Sequence, residues 1–131
     1  MKNKNILTNQ SNSKESKRGH LTLNKSLPFK IAIEHKLDNN FDFKDLSTDG
    51  LKKFSKFINE ILGKNLTISQ VENLLLRTKQ KPIEKRFIKD EFVSEIHLGK
   101  DRSSFRLFGY FNQDSYFVIT KIDPNHNFHK A

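Results

Sequence analysis

The stretch from Val93 to Ile122 limits what this chain can fold into more than any other part of it. Apolar and polar residues alternate there in three consecutive runs, separated by two turn-forming clusters. Val93–Leu98 reads as a strand, Gly99-Lys100-Asp101-Arg102 as a turn and Ser104–Phe111 as a second strand. Asn112-Gln113-Asp114-Ser115 turns the chain again, and Tyr116–Ile122 runs back. Side chains alternate between the two faces of a strand. Phe105, Leu107, Gly109 and Phe111 therefore share one face, and Ser104, Arg106, Phe108 and Tyr110 share the other. The first set is the natural core face, so Arg106 is expected to emerge from the middle of the more polar one.

An antiparallel unit with one apolar face needs a cover, and the preceding residues supply it. After Leu27-Pro28, the apolar Phe29, Ile31 and Ile33 alternate with Lys30, Ala32 and Glu34, the pattern of a half-buried strand. Asp38-Asn39-Asn40 ends it, and Phe41–Leu46 reads as an extended connection. Ser47 or Thr48 can cap the helix that follows, whose apolar residues Leu51, Phe54, Phe57, Ile58, Ile61 and Leu62 fall on one side. Lys52, Lys53, Lys56 and Glu60 lie elsewhere on it, and Gly63 suits a left-handed stop. Thr67 with Gln70 forms a capping box for a second helix with the stripe Ile68, Val71, Leu74 and Leu75. Thr78–Asp90, which contains Pro82, reads as a charged loop. Strand, helix, helix and three strands predict an α+β fold. Its small antiparallel sheet combines the opening strand with the C-terminal three-stranded unit, and a two-helix hairpin covers one face.

The chain has 131 residues, enough for one ordinary domain. Its hydrophobic fraction is only 34%, with 12 phenylalanines carrying much of the expected core. Residues 1–26 hold six Lys or Arg and one Glu, and little that could be buried. They read as a disordered basic N-terminal arm, with a single domain over residues 27–131. The formal charge of +9 predicts polyanionic partners such as RNA or an acidic protein. No apolar run approaches the ~18 residues of a membrane span, and no secretory signal is visible. The absence of cysteine fits a reducing compartment, so a cytoplasmic location is expected.

Candidate chemistry gathers in the C-terminal unit. The phosphate-cradling glycine loop, the HExxH zinc helix and the nucleophile elbow are all missing. Asp123, His126 and His129 have a spacing that permits metal, but a polar tail offers no rigid scaffold. No metal and no cofactor are therefore expected. Metal-free RNA cleavage by the 2′-hydroxyl needs a base, an acid and cations for the charged phosphorane. Histidine can serve either proton role, and arginine grips phosphate with two parallel donors. Arg106, His126, His129 and Glu95 are the candidate catalytic residues; Lys100, Arg102 and Tyr110 are the candidate substrate contacts. Each also has an ordinary role. Arg106 could pair with Glu95 across strands, Lys100 and Arg102 could be solvated turn residues, and Phe108 and Tyr110 could fill a second small core. A non-catalytic basic module that grips nucleic acid or an acidic protein is the rival reading. There, Phe108 and Tyr110 on an open sheet face could stack on bases.

The order of elements and the run Phe105-Arg106-Leu107-Phe108-Gly109-Tyr110, followed by the strand Tyr116–Ile122, resemble the RelE/ParE superfamily of toxin–antitoxin toxins. The YoeB and HigB style of mRNA interferase is the nearest pattern. The likeness covers residues 27–129. It implies a RelE-like fold, an endoribonuclease that cleaves mRNA, often on the ribosome, and neutralisation by an acidic antitoxin. It also implies that Arg106 holds the scissile phosphate and that Glu95 and the tail histidines divide the acid and base roles.

Overall fold

The computed structural model describes residues 25–77, 83–100 and 102–125. The first helix, α1 (Thr48–Leu62), starts where Ser47 accepts a hydrogen bond from the Gly50 amide at 3.0 Å. That contact satisfies one of the unpaired donors of the first turn. The second, α2 (Ile68–Leu75), opens with the expected capping box, Gln70 N–H donating to the Thr67 hydroxyl and Thr67 N–H to the Gln70 side chain. The left-handed residue between the helices is Asn65 (φ 54°), because Gly63 stays right-handed at φ −65°, ψ −24°. The expected glycine stop is thus displaced by two residues.

The architecture is α+β, with a mixed sheet of five strands rather than the expected four antiparallel ones. The strands are β1 (Ile31–Ala32), β2 (Ile83–Ile88), β3 (Glu91–Leu98), β4 (Arg106–Phe111) and β5 (Phe117–Asp123), in the order β1-β5-β4-β3-β2. The opening strand is only two residues long and pairs parallel to β5. Beyond it the chain stays along β5, with Asp38 N–H donating to Thr120 O and Ile122 N–H to Phe41 O. Strand β2 lies inside the segment read as a charged loop. Its burial alternates, but basic and acidic residues occupy half of its positions and mask the pattern. Lys89 and Asp90, at φ 49° and 68°, form the two-residue turn that pairs it with β3. Positive φ at both central positions matches the twist of a tight hairpin.

The core lies between the helices and one sheet face. Phe57 and Ile61 of α1 and Ile68, Val71 and Leu75 of α2 meet Ile96, Leu98, Phe105, Leu107, Phe117, Ile119 and Ile122. The face assignment for β4 holds in the structure, since Phe105 and Leu107 are core and Phe108 stands on the opposite side. Strand β5 breaks simple alternation. Phe108 pairs with Lys121 and Gly109 with Ile119, leaving Thr120 as an extra residue, a β-bulge. The bulge lets Ile119 and Ile122 both enter the core. It also sends Thr120 and Lys121 together to the other face. Gly109 is required beside it, because a Cβ there would lie 2.3 Å from Val118 O and 2.7 Å from the Phe117 ring.

Residues 1–24 of the expected arm lie outside the described residues. Lys25 already belongs to the fold, since its carbonyl accepts from Ser69 N–H and its ammonium pairs with Glu72. No helix among the described residues is long and apolar enough to cross a membrane.

Candidate functional site

The face away from the helices was expected to be open and polar around Arg106. It is closed instead. The segment after β1 lies over it, and Glu95, His97, Phe108, Tyr110, Thr120 and Lys121 are all buried. At its centre the Glu95 carboxylate accepts from Lys121 Nζ at 3.0 Å, from Arg86 at 2.6 Å and from the Thr120 hydroxyl. Arg86 also makes a two-pronged pair with Asp38, at 2.9 and 3.0 Å, and Lys121 lies 3.2 Å from the same carboxylate. Two carboxylates thus balance two cations. Burial pushes the Asp38 carboxyl up, but the Arg86 hydrogen bonds and the field of Lys121 outweigh it and hold the group below the usual carboxylate range. The Lys121 ammonium also sits 4.8 Å from the centre of the Phe108 ring, on which His97 stacks. His35 stacks on Tyr110, with Nε2 3.2 Å from its hydroxyl.

These contacts relocate most of the residues singled out from the sequence. Glu95 is bound by Arg86, Thr120 and Lys121, and the β3–β4 register does not place it opposite Arg106. Tyr110 is buried beside His35 rather than presented on an open surface. Arg106 is on the predicted face but only 5% exposed. Its guanidinium turns back and donates to the carbonyls of Ser103 (2.6 Å), Phe105 (2.8 Å) and Lys100 (3.3 Å). Gly99 makes room for it, since a Cβ there would come within 2.6 Å of Arg106 Cδ. Arg106 therefore ties down the β3–β4 loop. His126 and His129 lie outside the described residues. Among the described residues no cluster of three or more His, Cys, Asp or Glu is placed to hold a metal ion.

The loop that Arg106 holds forms one wall of a cleft of about 420 Å³. Lys53, Lys56, Phe57 and Glu60 of α1 form the other wall, facing Lys100, Arg102, Ser103, Ser104 and Phe105. Arg102 is held at φ 65°, and its side chain is exposed at the cleft. Among the described residues, four cations and one acid line it. Lys100 pairs with Glu60 at 2.7 Å, and this contact, with the fields of Lys56 and Lys64, holds the Glu60 carboxyl below its ordinary range. Lys53 bonds the Ser104 hydroxyl at 3.1 Å and pairs with Asp49 across one turn. Lys56 and Arg102 make no ion pair with a described residue. A shallower hollow lined by Lys52, Ser55, Lys56, Asn59, Glu60 and Lys64 continues the basic band along α1.

Lys100 and Arg102, the expected substrate contacts, are thus brought together, but on the helix side of the sheet. Lys53 and Lys56 are the residues that sequence reasoning left on a polar helix surface. Their spacing of three placed them on one side of α1; what they face depends on the distant β3–β4 loop. Comparison with protein-family models, characterised proteins and solved structures gives no match to this chain.

Proposed function

We propose that this protein is a non-catalytic RNA-binding module that holds the phosphate backbone in the cleft between α1 and the β3–β4 loop. The observation that carries this reading is the convergence of Lys53, Lys56, Lys100 and Arg102 on one concave site in which Glu60 is the one acid among the described lining residues. Cations in a concavity with apolar walls, here Phe57 and Phe105, concentrate the field that draws a polyanion in. Arginine and lysine donors directed at phosphate oxygens position a nucleic acid without reading its bases. Arg106 acts through the loop, as a positioning residue. RNA cleavage, the activity implied by the resemblance to RelE-type toxins, draws less support from this geometry. The guanidinium it assigns to the scissile phosphate is bound to loop carbonyls, and the carboxylate it assigns as base is buried among cations.

The test is fluorescence anisotropy with a labelled single-stranded RNA of about twenty nucleotides, titrated at several salt concentrations. Four phosphate contacts give a slope of log K against log salt near −2.8, so affinity falls roughly 50-fold between 50 and 200 mM salt. Lys56→Gln and Arg102→Gln each flatten the slope by about 0.7 without altering the circular dichroism spectrum. Unchanged slopes in both variants would refute the site. Strand scission in metal-free buffer would restore the cleavage reading. An acidic protein that buries the same cations would compete with RNA for them.

A further inference from the structure

The two edges of the sheet are treated differently. Along β5, the segment Lys30–Phe41 supplies backbone partners, including Lys30 O to Phe117 N–H and Phe41 O to Ile122 N–H. Along β2 no described residue bonds the outer edge. The helix-side face of the same hairpin carries apolar side chains that the helices do not reach. Phe87 is 60% exposed and Phe92 74%, and their rings pack on each other at 4.9 Å. Ile83 lies on the same face of β2, also exposed. An uncapped edge beside exposed aromatics is the usual template for strand addition.

The geometry points to a second copy of this chain as the occupant, paired through β2 to β2 about a two-fold axis. The sequence of the strand, Ile-Glu-Lys-Arg-Phe-Ile, decides this by its self-complementarity. A two-fold axis perpendicular to the sheet keeps each face continuous, so a residue meets only partners from its own face. With the axis on Lys85, Ile83 lies opposite Phe87 of the partner subunit, so apolar meets apolar twice on the helix-side face, and Glu84 falls opposite an Arg86 already held by Asp38 and Glu95. An axis on Glu84 or Arg86 places like charges together and Ile83 or Phe87 against a lysine. An axis on Phe87 pairs the two phenylalanines but sets Lys85 against Lys89. The Lys85 axis is therefore the register the side chains favour, and its one repulsive pair is lysine on lysine. Six residues per strand cover less than the ~800 Å² per partner of a standard interface, so the dimer is weak, with a dissociation constant on the order of micromolar. This inference is independent of the RNA-binding reading, and salt separates the two. Screening weakens RNA binding but relieves the Lys85 repulsion and that between two protomers of formal charge +9, so the dimer tightens as salt rises.

The experiment uses the whole chain, which has no cysteine of its own. Sedimentation equilibrium from about 1 to 200 µM is expected to show the mass doubling from 15.4 kDa with rising concentration. Phe87→Glu, a substitution at an exposed position, should hold the protein at the monomer mass. The register is read by mild oxidation of single-cysteine variants. Lys85→Cys places two thiols directly opposite, within disulfide range, whereas Phe87→Cys leaves them roughly 14 Å apart. Rapid cross-linking of the first and not the second is the expected result. A monomer at every concentration, or equal cross-linking of the two variants, overturns the proposal.

Discussion

Glu95→Gln tests the central physical claim about the closed sheet face. In the native protein the carboxylate only accepts, and the groups around it, Lys121, Arg86 and Thr120, all donate. The substitution keeps the shape but points a two-proton amide at those donors and leaves Lys121, whose side chain is 4% exposed, with one carboxylate instead of two. Removing one partner from a buried ion pair costs about 3–5 kcal/mol. At this chain length a loss of 1 kcal/mol lowers the melting temperature by about 3–4 °C, so a fall of roughly 10–20 °C is expected. Lys121→Met should destabilise comparably, because it strips Glu95 of its closest ammonium. The double variant should recover about 1–3 kcal/mol relative to the sum, since Arg86 and Asp38 still neutralise each other across their two-pronged contact. Urea denaturation followed by circular dichroism gives all four corners of the cycle. If Glu95→Gln loses under 1 kcal/mol, or the two changes simply add, the cluster is not an interdependent buried network and the reasoning fails.

Two further expectations concern the bulge and acid pH. Gly109→Ala should cost at least about 2–3 kcal/mol, because its Cβ meets the Val118 carbonyl, which can yield only by moving backbone; a urea midpoint within error of the parent would show that the bulge tolerates a side chain. Asp38 titrates below its ordinary value in the folded protein, so its stabilisation is complete above the unfolded value near ~3.9 and is lost as pH falls through the folded one. The stability gap between the parent and Asp38→Asn should accordingly be level from pH 7 to about 5 and shrink toward pH 3. A gap that holds constant down to pH 3 would contradict the assigned direction.

What could be read from the residue order alone was whatever depends on neighbours a few positions apart. Thr67 and Gln70 form their box, and Ser47 its cap, because those bonds close within one helical turn. Phe105 and Leu107 face the helices because alternation is a property of the strand itself. The pair Lys100 and Arg102 was also legible as a cationic turn. Long-range pairing decided the remainder. Strand β2 was hidden because its pairing partner β3 lies beyond a turn and its three apolar residues, Ile83, Phe87 and Ile88, do not share one face. Thr120 is bulged only because β4 runs alongside, and that bulge turns Lys121 toward Glu95 instead of into the core. Whether Arg106 meets a phosphate or its own loop depends on the closeness of Gly99 and the carbonyls of Lys100, Ser103 and Phe105. Charge and spacing along the chain determined that cations would be abundant. Which of them share a cleft was decided by the packing of α1 against the β3–β4 loop, because electrostatic attraction depends on distance in space and not on position in the sequence.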